Sequence, residues 1–108
     1  MVLEPSVYVT TERLSKDYTG GYWDFFELCN GGFYMAPDDD RTFHVVCENY
    51  FEGDLSADAL GITVCLYAYS HLSYTGGSFA RCCAEQYYRL RPYAMEHPEA
   101  GAISAATD

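Results

Sequence analysis

The feature that most constrains this chain is a run without any charged residue, from Ala59 to Ala80. About its first fourteen residues are convincingly apolar, short of the roughly 20 that a membrane helix needs. The run therefore reads as a buried helix followed by a turn at Gly76-Gly77. Ser56 is a good N-cap, and Asp58 lies in the first turn, where the helix dipole favours an acid. The spacing predicts a helix from Ala57 to about Leu72, apolar on most sides and so central. Such a helix needs partners on several faces. The 108 residues allow one domain over positions 1–108 with one modest core.

Those partners are legible. A short helix is expected from about Ser6 to Asp17, with Tyr8 or Val9 and Leu14 as a weak apolar stripe. Tyr22 to Leu28 is rich in aromatic residues and reads as a strand. Asn30-Gly31-Gly32 is a strong turn signal, so Phe33 to Ala36 returns as the second strand of a hairpin. Thr42 to Glu48 is a third strand: Phe43, Val45 and Cys47 share one face. Phe51 to Leu55 supplies a short fourth. A second long helix begins near Ser78 and is interrupted at Pro92, which cannot donate to Tyr88. A last helix is expected to start at Pro98. The order predicts an α+β fold: a small antiparallel sheet of three to four strands covered by three to four helices.

The chain carries six Lys and Arg against sixteen Asp and Glu, a formal charge of −10. That excludes non-specific binding to nucleic acid or to an anionic membrane, both of which need a basic surface. The acidity is uneven. Asp17 to Asp58 holds ten acids and one base, Arg41, whereas Arg81 to Glu99 holds three of each. Asp38-Asp39-Asp40 lacks the alternating oxygens and later Glu of a calcium loop, and reads as a solvated loop or as a patch for a basic partner. The five cysteines, Cys29, Cys47, Cys65, Cys82 and Cys83, include no C-x-x-C pair. They are expected as reduced thiols of a cytoplasmic protein, used mostly in packing.

Tyr22, Trp23, Phe25 and Phe26 are the densest aromatic group, and core packing is expected for most of them. The alternative is a protein-binding patch of aromatics among acids. His44, His71 and His97 are far apart and form no metal motif. No P-loop, G-x-G-x-x-G or G-x-S-x-G occurs, so no cofactor and no catalytic residue is expected.

Four motifs carry a family resemblance. They run from Arg13 to Leu28, from Asn30 to Pro37 (NGGFYMAP), from Leu55 to Ile62 (LSADALGI) and from Tyr88 to Ala100 (YRLRPYAMEHPEA). In unbroken order over roughly Val7 to Ile103, they resemble the ArdB/KlcA family of antirestriction proteins. The resemblance implies a small α/β fold and protection of incoming plasmid or phage DNA against host type I restriction enzymes, without catalysis or cofactor. The implied partner is the type I restriction-modification complex, reached directly or through an intermediary. No direct nucleic acid or membrane contact is implied, and a monomer is expected, with self-association as the alternative.

Positions that match the family pattern include Arg13, Asp17, Gly21, Trp23, Asn30, Gly31, Gly32, Tyr34 and Pro37. Ser56, Asp58, Gly61, Tyr88, Arg89, Arg91, Tyr93, His97 and Pro98 also match. Arg13, Trp23, Arg89 and Arg91, with the Asp38, Asp39 and Asp40 loop, form the expected interaction surface. The bland alternative pairs Arg13 with Asp17 and Arg89 with Glu85 at i, i+4 spacing. Two departures stand out. The chain starts close to the first helix, N-terminally short for the family, and Pro92 stands where an acid is expected. The rival readings are an acidic DNA mimic, a small enzyme and an inactive shortened family member.

Overall fold

The computed structural model of the chain describes residues 3–108. Helix α1 (Leu3–Leu14) is followed by strands β1 (Trp23–Glu27), β2 (Phe33–Pro37), β3 (Thr42–Val46) and β4 (Glu52–Ser56). Helices α2 (Ala57–Leu72), α3 (Gly77–Met95) and α4 (Ala100–Thr107) complete the chain. Four strands and four helices give the expected α+β fold. The strands form two separate antiparallel hairpins, β1-β2 and β3-β4, rather than one sheet.

The reason lies on the outer edge of β2. The Met35 amide donates to Cys65 Sγ at 3.4 Å, and the Cys65 thiol donates to the Met35 carbonyl at 3.6 Å. The Tyr69 hydroxyl donates to the Phe33 carbonyl at 2.8 Å. Pro37, last in the strand, has no amide to offer. Side chains of α2 thus occupy the bonds a third strand would use. The fit is close because Gly61 lies against β2: a Cβ there would overlap Ala36 and the Met35 carbonyl.

Helix α2 is the expected central element. The Ser56 hydroxyl oxygen accepts from the Ala59 amide at 3.1 Å, closing the N-cap. Leu60, Ile62, Val64 and Leu66 are all buried, so α2 packs on every side. Helix α1 covers it with Leu3, Val7, Thr11 and Leu14, a stripe at helical spacing. In β3, Phe43 and Val45 point inward while His44 and Val46 face solvent, as alternation dictates. Leu55 of β4 lies opposite Phe43.

Helix α3 does not stop at Pro92. It continues to Met95, because Pro92 lies on the exposed face while Leu90 and Ala94 stay buried on either side. Tyr88, whose carbonyl loses its partner, is itself exposed, so water can satisfy it. Pro98 falls in a turn, and α4 starts two residues later.

Candidate functional site

Strand β1 departs most from the sequence expectation. Of its five residues only Trp23 is partly buried. Tyr22 is 89% exposed, Phe25 54% and Phe26 37%, so core packing fails for three of the four aromatics. The hairpin turns its β1 side outward because β2 already meets α2. What remains is an exposed strand of aromatic and acidic residues, the protein-binding alternative.

Trp23 pins this strand to α1. Its ring meets Tyr8 edge-on at 5.3 Å and Tyr18 at 5.9 Å, and its Nε1 donates to the Tyr18 hydroxyl at 2.9 Å. The acidic loop lies beside it. The Asp38 amide donates to the Tyr22 carbonyl at 2.9 Å, and Asp39 holds Arg41 through the Arg41 amide and Nε. The Arg41 contacts pull the Asp39 carboxyl below its ordinary range. Arg41 in turn donates to the Asp17 carbonyl at 2.9 Å.

The other arginines lie elsewhere. Arg13 approaches Glu48 at 3.8 Å, not Asp17, whose carboxylate accepts from the His44 amide at 2.9 Å. Arg89 faces the Gly31 carbonyl at 3.4 Å, not Glu85, and its own carbonyl accepts from Asn30 Nδ2 at 2.8 Å. It braces the β1-β2 turn, where Gly31 takes a φ of 85° that favours glycine. Arg91 joins the Tyr87 hydroxyl at 3.0 Å and Asp108 at 3.7 Å. Trp23 and the acidic loop are therefore neighbours, while Arg13, Arg89 and Arg91 are spread over three other places.

A polar cluster joins residues the sequence kept far apart. The Tyr34 hydroxyl donates to Asp58 Oδ1 at 2.6 Å, and His97 Nε2 donates to Asp58 Oδ2 at 2.8 Å. The Glu99 amide donates to His97 Nδ1 at 3.0 Å. That bond makes Nδ1 an acceptor, so the proton of the neutral ring sits on Nε2. The Glu99 carboxylate accepts from the Ser56 amide at 3.0 Å and from the Ser56 hydroxyl at 2.5 Å. Burial and the Asp58 carboxylate push the Tyr34 phenol far above its ordinary range. Tyr34, Ser56, Asp58 and His97 all stand in the quoted motifs, but nothing in their spacing of up to 63 positions (97 − 34) announces a cluster. Asp58 has one oxygen on each donor, and both ring nitrogens of His97 are engaged. The cluster ties β2, α2 and the α3–α4 turn together, with the His97 ring enclosed and the Asp58 side chain 40% exposed.

A second histidine stands between two acids. Nδ1 of His44 is 2.9 Å from Asp54, and Nε2 is 2.8 Å from Glu52. Asp54 first, then Glu52, favour the doubly protonated imidazolium and raise its pKa above the usual histidine range. Among the described residues no group of three His, Cys, Asp or Glu is placed to hold a metal ion. No helix among them is long and apolar enough to cross a membrane.

A model of the antirestriction protein family matches residues 16–108. The chain belongs to that family. The antirestriction protein KlcA of Escherichia coli is 42% identical over 108 residues, which cover 97% of this chain and 74% of KlcA. The uncharacterized protein YafX of Escherichia coli K12 is 42% identical over 111 residues, covering all of this chain and 72% of YafX. A solved structure from work on KlcA and ArdB matches with a TM-score of 0.89 at 41% identity, over 97% of this chain and 76% of that one. That work describes a novel fold and antirestriction activity against type I DNA restriction systems in vivo but not in vitro. The α+β architecture above is therefore the antirestriction family's own.

Proposed function

We propose that this chain is a cytoplasmic antirestriction protein that protects incoming plasmid or phage DNA from type I restriction, acting by binding rather than catalysis. The observation that carries this reading is the match to the KlcA and ArdB structure over 97% of the chain. The in vivo but not in vitro activity described for KlcA and ArdB favours a route through another cellular component over direct blockade of the purified enzyme. Extents of 35 × 28 × 26 Å favour this over DNA mimicry, which needs carboxylates along an elongated face. The partner-facing part is the exposed strand that Trp23 opens, with Asp38, Asp39 and Asp40. Arg89 braces the turn of that hairpin, Arg13 and Arg91 lie elsewhere on the molecule, and the acting species is a monomer.

Plating efficiency of unmodified phage tests this. In cells with an active type I system, expression of the chain should restore plating, and in cells without the system it should change nothing. Plating that stays low while the protein is soluble and folded defeats the reading.

A further inference from the structure

Beside the exposed strand lies a cleft of about 460 Å³, between the β1-β2 hairpin and the end of α3. Three aromatic rings form its wall. Phe26 stacks on Tyr34 with centroids 4.8 Å apart and planes 20° apart. Tyr93 continues the row, 5.6 Å from Tyr34. Tyr34 is buried, but Phe26 and Tyr93 are 37% and 39% exposed, so ring surface faces the opening. Glu96 also lines it and has no ion pair among the described residues, whereas Glu27, next to Phe26 on the strand, turns its side chain to the opposite face. None of the six basic residues of the chain lines the cleft.

We propose that this cleft takes an arginine side chain from a basic segment of a protein partner. The inference rests on the reading of the chain as a binding protein and says what that binding recognises. Ring faces attract a cation through their quadrupole, and the Glu96 carboxylate at the rim supplies the counter-charge. Guanidinium fits better than ammonium because it is flat enough to stack on the rings while its fork bonds a carboxylate. The segment is extended because β1 pairs with β2 alone among the described residues, which leaves an edge that can accept a further strand. Asp24 lies on the same strand face as Phe26, two positions along, and adds charge for a neighbouring basic residue. The net charge of −10 draws such a partner in.

The test titrates the whole chain with acetyl-Thr-Val-Arg-Val-Thr-amide, followed by amide NMR. The same peptide carrying citrulline or lysine in place of arginine runs alongside. The arginine peptide should shift the amides of Phe26, Leu28, Tyr93 and Glu96. Citrulline, a neutral isostere, should bind roughly tenfold more weakly, and so should the arginine peptide to the Glu96→Gln variant at an unchanged melting temperature. Equal binding by citrulline, or shifts elsewhere, overturns the site; equal binding by lysine overturns the guanidinium assignment. In the plating assay the Glu96→Gln variant should lose the protection the wild type gives. Equal protection by both overturns the role of the cleft. If the wild type itself gives none, the antirestriction reading fails, and the titration still decides the cleft.

Discussion

Asp58 does three jobs with one carboxylate. It complements the dipole at the start of α2, accepts from Tyr34 and accepts from His97. Asp58→Asn keeps the size but leaves one of the two donors facing an amide nitrogen. The expected loss is about 2 kcal/mol of unfolding free energy, read from urea denaturation, with a fold otherwise intact. Gly61 is the sharper case. Its neighbour is backbone, which has nowhere to go, so Gly61→Ala should cost about 3 kcal/mol, although alanine is the better helix former. A stability equal to or above the wild type would show that α2 and β2 can separate without penalty. Both residues were visible in the sequence as motif positions. Their partners were not, because hydrogen bonds between Tyr34, Asp58 and His97 depend on tertiary placement that no local pattern encodes.

Elements were more legible than their assembly. The bounds of α2 follow from Ser56 as cap and from an uninterrupted apolar run, and the structure agrees to the residue. Alternation in β3 put Phe43 and Val45 on one face, and that face is the buried one, although the strand ends at Val46 rather than at Glu48. Strand β1 defeated the same logic, since its aromatics are as hydrophobic as core residues and only the capture of β2 by α2 turns them outward. Pro92 misled for a related reason: a proline on a solvent face costs one hydrogen bond, and burial of Leu90 and Ala94 outweighs it. The β3-β4 hairpin carries its own pH dependence. His44 binds its proton more tightly folded than unfolded. The contribution is therefore fully present below the ordinary histidine value of about 6.5 and is lost as pH rises through the higher folded value. Melting temperature should fall over that window, and His44→Gln should flatten the fall. A histidine titration by NMR should show a His44 midpoint above that of an unfolded peptide.

At the scale of the whole molecule, charge and packing are divided. The stretch from Asp17 to Asp58 carries most of the acidity, and its exposed β1 strand is the surface offered to a partner. Packing centres on α2, which every layer touches. One consequence follows from the thiol that joins α2 to β2. Cys65 is fully enclosed, and burial pushes its pKa up to about 12, so its thiolate is scarce and no reagent reaches it. Cys29 and Cys82 stand in solvent. Under a maleimide pulse the intact chain should gain two adducts quickly, as read by mass spectrometry. The adduct at Cys65 should appear only at the rate at which the molecule opens. The chain thus carries a built-in clock for its own unfolding, readable in dilute lysate without purification, dye or denaturant. Rapid labelling of Cys65 under native conditions would mean that α2 leaves β2 far more often than a closed core allows.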